Sequence, residues 1–394
     1  MRILHTSDWH LGARLGNQDR LPDQLARVDE ICGFIDEREV DLLLVAGDVF
    51  DEHRADALAK IIGRLGRLLA PRILAGLTCV FIAGNHDREH VFPLLRGLQA
   101  LVAADDRGRV IFAERPALEQ VTSPRGEKLN LMLLPYPTPS RYDLADERWP
   151  SPDAKHDALH DEVRNRIQAL VSQVKAVGAG VPTVICAHFW IRGVTEGLYR
   201  VTEQNDIVID PSDIPVYAYT ALGHIHKPQY VGAPNIRYSG SIERMDRGEA
   251  KDKKKAVLVE VTRSGAQGVE ELSLNATPFA HLQVSSEEEL ETAAAKVVEP
   301  DRTLVSVTAD LRREQSLGSL IARARKLFPR LYGNVDVNWI DARSRDRPAF
   351  EADRLDVQAT VRAYLSQVLQ HDPNAQELTS AAEELLIQTG MSRA

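Results

Sequence analysis

Six short apolar runs, RILHTS, VDLLLVAGD, LTCVFIAGN, LNLMLLPYP, PTVICAHFW and YAYTALGH, recur along the first part of the chain, each giving way to a loop with polar residues, glycine or proline. Runs this short, rich in β-branched and aromatic residues and bounded by turn formers, predict buried strands. Between them, Leu25 to Glu37 and Ala57 to Leu69 carry apolar residues at helical spacing, so the order is strand, helix, strand and the class is α/β. In such sheets ligand sites collect beyond the carboxyl ends of the strands. A strand-like AVLVEVT and a glycine-bearing turn precede a second module that begins near Pro278. There HLQVS, a helix from Glu287 to Val298, TLVSVTADL, a helix from Leu317 to Leu327, and NVDVNWI predict a small βαββ or βαβαβ unit. Asp341 to Pro348 has linker composition. Beyond it, Leu355, Val361, Leu365, Val368 and Leu369 mark one helix, and Leu378, Ala381, Ala382, Leu385 and Leu386 a second, with HDPN as the turn. The expected domains are therefore 1–270, a small α+β domain at 275–341, and a C-terminal helical segment at 349–394.

Composition narrows the class. With 44% hydrophobic and 27% charged residues the chain is that of a soluble globular protein, and no apolar run approaches the ~20 residues that span a bilayer. Histidine and aspartate occur in MRILHTSDWH before any apolar stretch long enough for a secretory signal, so the first strand is expected to belong to the working enzyme. Cys32, Cys79 and Cys186 form no CxxC pair, which argues against disulfides and thiolate zinc and for a reducing, cytoplasmic setting. A net charge of −9 excludes a protein that holds nucleic acid through its overall field. Any DNA contact would need a local basic patch, bound metal or a partner.

Ligand-type residues follow one apolar run after another. Asp8 and His10 come after the first strand, and on an extended segment residues two apart point to the same side. Asp48 follows VDLLLVAG, where Gly47 permits a close turn and a carboxylate could bridge two ions. Asn85, His86 and Asp87 follow LTCVFIAG, His188 follows TVICA, and His224 and His226 follow YTALG. Mixed imidazole and oxygen donors suit manganese, iron or zinc. Asp8, His10, Asp48, Asn85, His188, His224 and His226 exceed what one catalytic ion would take while keeping an open position. Two divalent ions, ~3.5–4 Å apart and bridged by one carboxylate, would use them all. Manganese is the expected species.

In that order, DWH, GDVFD, GNHD, AHFW and GHIH resemble the five signature blocks of the calcineurin-like metallophosphoesterases. MRILHTSDWHLG, VAGDVFD, AGNHD, YTALGHIH and YSGSIER narrow the resemblance, over roughly the first 260 residues, to SbcD-type nuclease subunits and their archaeal and eukaryotic repair relatives. The resemblance implies a four-layer β-sandwich flanked by helices, with a capping domain after it. It implies that Asp8, His10 and His226 hold one metal, that Asn85, His188 and His224 hold the other, and that Asp48 bridges. His86 would protonate the leaving 3′ oxygen or stabilise the transition state, Asp87 would orient its ring, and His53 would contact phosphate. It also implies double-strand exonuclease and single-strand or hairpin endonuclease activity. The implied partners are DNA and an SbcC-like ATPase gripped by the C-terminal helices, in a homodimer within a heterotetramer.

Two basic groups bear on the substrate. Arg312, Arg313, Arg323, Arg325, Lys326 and Arg330 face a single acid, Glu314, and could line a phosphate backbone or form a solvated helix face. Lys251, Lys253, Lys254 and Lys255 precede a strand and could equally be a charged hairpin end. His5, His90, His156, His160, His281 and His371 match no ligand block and are expected to be structural or exposed, and Trp9 and Trp190 are expected to pack over the ligand shell. The competing functions are a phosphoesterase acting on a small substrate and a non-catalytic scaffold. The second of these requires broken ligand sets, and every block is intact.

Overall fold

A computed structural model of the chain describes residues 1–100, 108–145, 147–178, 180–194, 206–312 and 314–340, with isolated positions beyond them. The two expected C-terminal helices, and Arg313, lie outside the described residues apart from those isolated positions.

The chain folds in the order β1 (Arg2–Thr6), α1 (Leu21–Glu37), β2 (Leu42–Val45), α2 (Ala55–Leu74), β3 (Thr78–Ile82), α3 (Val91–Ala100), β4 (Val110–Ala113), β5 (Ala117–Thr122), β6 (Lys128–Leu134) and α4 (Pro152–Val177). It continues through β7 (Thr183–His188), β8 (Tyr219–Gly223), β9 (Gln229–Val231), β10 (Ala233–Tyr238), β11 (Lys255–Thr262) and β12 (Gly265–Ser273). One six-stranded sheet has the order β12-β11-β1-β2-β3-β4 and a second the order β9-β10-β8-β7-β6-β5. In the first, β1, β2, β3 and β4 are parallel; in the second, β6, β7, β8 and β10 are. Parallel strands covered on both faces need apolar side chains on both, which is why they read as continuous runs.

The period of two along a strand sorts those runs into layers. Leu42, Leu44, Val80 and Ile82 join Leu129, Leu131, Leu133, Val184, Cys186 and Ala221 in one core between the sheets. The alternate residues Leu43, Val45, Cys79 and Phe81 pack instead with Val28 and Ile31 of α1 and Ile61 and Leu65 of α2. On the far side Met132, Leu134, Ile185 and Ala187 pack against Leu159, Val163, Ile167 and Leu170 of α4. The expected layering, helices outside two packed sheets, is the one formed. No apolar run announces α4 as clearly as α1, but its start has a legible cap: Ser151 Oγ accepts from Ala154 N at 3.1 Å, with Pro152 next to it.

After β12 follow β13 (Phe279–Val284), α5 (Glu287–Ala294), β14 (Leu304–Leu311), α6 (Leu317–Leu327) and β15 (Asp336–Trp339), the βαβαβ order. The helix expected to reach Val298 stops at Ala294, and Val298 is exposed, so nothing apolar holds that last turn down. The chain divides into two compact units, Met1–Thr308 with Leu320–Asp336, and Ala309–Ser319 with Val337–Ala394. The two large sheets belong to the first. In the second, Ile340 N donates to Leu311 O and Asn338 Nδ2 to Asp310 Oδ1.

His5 shows what the inter-sheet layer demands of a polar side chain. It is fully buried, with Nδ1 3.0 Å from the Tyr219 hydroxyl and Nε2 3.1 Å from Leu222 O. Burial pushes its imidazole down to about 3, so it is neutral in the folded protein. Because the folded value lies below the unfolded one, its contribution is fully present above the unfolded pKa of about 6.5 and is lost as pH falls towards 3. We expect roughly 3 kcal/mol of stability to disappear between pH 7 and pH 4 from this group. Denaturant midpoints of wild type and His5→Gln across that range check it; equally steep acid limbs in both would refute it.

Candidate metal centre

Every expected ligand lies at the carboxyl end of a strand, and the loops that carry them are tied to one another. Asp8 N donates to Gly47 O at 3.0 Å and His10 N to Asp48 O at 2.9 Å, joining the loops after β1 and β2. Asp8 and His10 are not on an extended segment as expected, since β1 ends at Thr6. Their φ values are 51° and 45°, Asp48 has 51° and His224 has 97°. Side chains other than glycine rarely adopt this region, and four of the seven such residues among those described are expected ligands. Strain of this kind persists only where surrounding bonds over-determine it. Two glycines make the crowding possible: a Cβ on Gly47 would lie 2.0 Å from His188 Nδ1, and one on Gly84 2.1 Å from Asp48 Oδ1.

The donors form two adjoining groups. In one, His10 Nε2 and His226 Nε2 are 3.2 Å apart, with Asp8 Oδ1 4.0 Å from the latter. In the other, Asn85 Oδ1 lies 3.0 Å from both His188 Nε2 and His224 Nδ1. Asp48 lies between them, its Oδ2 3.4 Å from His188 Nε2 and 3.7 Å from His10 Nε2. The outward ring atoms settle which nitrogen faces inward. His188 Nδ1 donates to Ala46 O at 2.7 Å, His226 Nδ1 to Glu249 at 2.7 Å, and His224 Nε2 to Asp206 at 2.6 Å. The opposite nitrogen of each ring is then the one aimed at the centre, a lone pair whenever the ring is neutral.

Lone pairs and carboxylate oxygens converging at such distances repel unless positive charge lies among them. Burial alone would push His188 down, yet Asp48, with Asp8 behind it, brings it up to about 9. Burial would raise Asp48, but the surrounding His188, His10 and His86 hold it well below the usual carboxylate range. The chemistry of the donor set thus fits divalent cations that accept imidazole and oxygen. Asp8 with His10 and His226, and Asp8 with Asp48 and His188, each offer ligand atoms within 4.8 Å of one another.

His86 stands at the rim, half-exposed, and its Nδ1 is 3.3 Å from Asp51 Oδ1. The contact with Asp51 pushes His86 up to about 9, so its ring is cationic at neutral pH. Asp87 does not orient that ring. Its carboxylate accepts from Val49 N, Phe50 N and Gly84 N at 3.1, 2.9 and 2.9 Å, which clamps the loop after β3 to the loop after β2. Burial and the nearby Asp48 push Asp87 up to about 7 against those three donors. From behind, the buried Arg141 guanidinium donates to Gly84 O and Asp87 O. His53 is exposed, with Arg88 Nε donating to its Nδ1 at 3.0 Å.

Asp51, Asp206, Glu249 and Arg141 escaped the sequence reading, because only Asp51 lies inside a signature block and none follows an apolar run. The basic rows also change meaning. Lys254 is fully buried, donating to Glu249, to Ser241 Oγ at 2.8 Å and to His226 O at 3.0 Å, so it supports the site from within. Arg330 pairs with Asp23 at 2.5 Å and Arg323 with Glu291, which leaves fewer cations for a phosphate track than the row suggested. His156 and His160 bond Asp206 O and Val208 O, and Trp9 packs edge-on against Phe81 at 5.9 Å, as structural residues do.

Two packed sheets whose strand ends gather carboxylate, amide and imidazole donors at one rim define a metallophosphoesterase. The calcineurin-like phosphoesterase family model matches residues 1–228, and the chain belongs to that family. Relatives named as the SbcD subunit of the SbcCD nuclease include those of Rhodobacter capsulatus, 29% identical over 262 residues that cover 61% of this chain and 62% of the relative, and Bacillus subtilis, 30% identical with 61% of each covered. The Escherichia coli protein of that name is 27% identical, with 72% of this chain and 71% of the relative covered. The chain therefore spans less than two thirds of the length of the first two. Among the described residues no helix is long and apolar enough to cross a membrane.

Proposed function

We propose that the chain is the nuclease subunit of an SbcCD-like DNA-repair assembly, hydrolysing DNA phosphodiesters with two divalent cations, manganese foremost. The observation that carries this reading is the convergence of Asp8, His10 and His226 on one side of Asp48, and of Asn85, His188 and His224 on the other. When bound, the cations would supply Lewis-acid stabilisation of charge on the phosphoryl group and activation of the attacking water. The chain's own residues do the rest. Asp48 joins the two ligand groups, and His188 and His226 keep the inward lone pairs that Ala46 O and Glu249 impose on them. His86, kept charged by Asp51, gives its proton to the leaving 3′ oxygen. His53 and Arg88, side by side at the mouth, contact a non-bridging phosphate oxygen.

The substrates in this reading are double-stranded DNA ends, cut exonucleolytically, and single strands or hairpins, cut endonucleolytically. The module at 275–341 would cap the DNA, and 349–394 would grip an SbcC-like ATPase, with the nuclease chain as a homodimer in a heterotetramer. A chain with net charge −9 would then owe much of its DNA affinity to the assembly. The test is cleavage of a DNA hairpin and a linear duplex by the purified chain with manganese, with and without the ATPase. Metal-dependent cutting of both is expected, increased by the partner. Turnover of a small phosphomonoester with neither DNA touched would instead establish a small-substrate phosphatase.

A further inference from the structure

Charge is distributed unevenly behind the two ligand groups. On one side Asp8 brings its own negative charge, and the carboxylate behind His226, Glu249, is met by the buried Lys254 ammonium. On the other side Asn85, His188 and His224 bring no negative charge of their own, so among the expected ligands that charge comes from a shared Asp48. Behind them is Asp206, 5% exposed, whose Oδ2 lies 2.6 Å from His224 Nε2. Its Oδ1 accepts from the Tyr136 hydroxyl at 2.9 Å and from Ile207 N at 2.8 Å. The Tyr136 ring itself lies 5.7 Å from that of His224 and 6.0 Å from that of His188. No lysine or arginine is among the partners of Asp206 in the described residues.

We propose that Asp206 is the positioning carboxylate that makes the Asn85, His188 and His224 group a tight cation site. It holds His224 in the tautomer that turns Nδ1 inward, and it supplies at second hand the negative charge this ligand set lacks. A buried anion near a cation site raises affinity because the low-dielectric surroundings screen it little. Outer carboxylates on ligating histidines are typically worth 10- to 100-fold in metal affinity. On the other side Glu249 holds the His226 ring in the same way, but the buried Lys254 offsets its charge.

The inference rests on the metal-centre reading, and manganese titration of the full chain, followed by electron paramagnetic resonance, distinguishes the two. Wild type should bind two ions with a spin-coupled signal. Asp206→Asn removes the charge and turns an amide donor towards one of its partners; one ion should bind as in wild type and the other about 10- to 100-fold more weakly, with the coupled signal lost at stoichiometric metal. Tyr136→Phe, which removes only one donor to Asp206 and serves should the first variant misfold, should weaken the same ion by a smaller factor. Wild-type affinity for both ions in either variant, or equal weakening of both, would overturn the proposal. Fewer than two ions on wild type would sink the metal-centre reading, and this inference with it.

Discussion

Asp48→Asn is expected to reduce phosphodiester hydrolysis about a thousandfold or more and to leave at most one tightly held ion. Asp48 faces both ligand groups, with Oδ2 3.4 Å from His188 Nε2 and 3.7 Å from His10 Nε2. Its other oxygen accepts from His86 N at 2.8 Å, which anchors the loop that carries Asn85 and His86. An asparagine offers one acceptor and one NH2 group, so whichever way the amide turns, a donor faces either a cation position or a backbone N–H. The side chain is 2% exposed, and water cannot repair that mismatch. Removing the carboxylate also takes away the negative charge nearest His188. Cleavage rates and manganese stoichiometry measure the two effects together. Activity within tenfold of wild type with two ions retained would contradict the bridging role.

His86→Ala separates two uses of one ring. The ring centroids of His86 and His10 are 4.7 Å apart, and His86, His10 and Asp48 offer ligand atoms within 4.8 Å of one another, so His86 has the position of a possible ligand. Its Nδ1, however, is committed to Asp51, and its pKa is pushed upward, which suits a proton donor. We expect a loss of about 10²- to 10⁴-fold in cleavage rate with both ions still bound. Loss of an ion in that variant would reassign His86 to the ligand shell. A general acid must be protonated to act, so above neutral pH the rate should fall as pH rises through about 9, where His86 loses its proton. Cations in the centre lower that limit by repulsion, and Asp51→Asn should lower it further by removing the contact that sustains the charge.

Much of this was legible in the chain itself. β1, β2, β3, β6, β7 and β8 are each a mostly apolar run of the sequence, because strands covered on both faces leave few positions for a polar residue. Helices α1 and α2 followed from a single apolar stripe against one sheet. The long α4 did not, because its mixed composition keeps only a narrow buried row at Leu159, Val163, Ile167, Leu170 and Val174. The candidate donors were legible for a different reason: histidine, aspartate and asparagine at the ends of successive buried strands have no packing role to explain them. What misled was geometry. Asp8 and His10 are two residues apart, as on a strand, but they turn through left-handed conformations to reach the same point.

The residue types along the chain by themselves determined the layers, the strand ends and the kind of ion those ends could hold, since each depends only on local pattern and donor chemistry. Only the tertiary structure decided who stands behind the ligands. Asp206 meets His224 from 18 positions away, Glu249 meets His226 from 23, and Lys254 turns from an apparent surface cation into a buried prop. Asp87, next to His86 in sequence, turned out to clamp two loops, and Asp51, 35 residues earlier, took the ring instead. Such partnerships arise where strands distant in sequence end at one rim, and neither propensity nor periodicity encodes which loops will meet there.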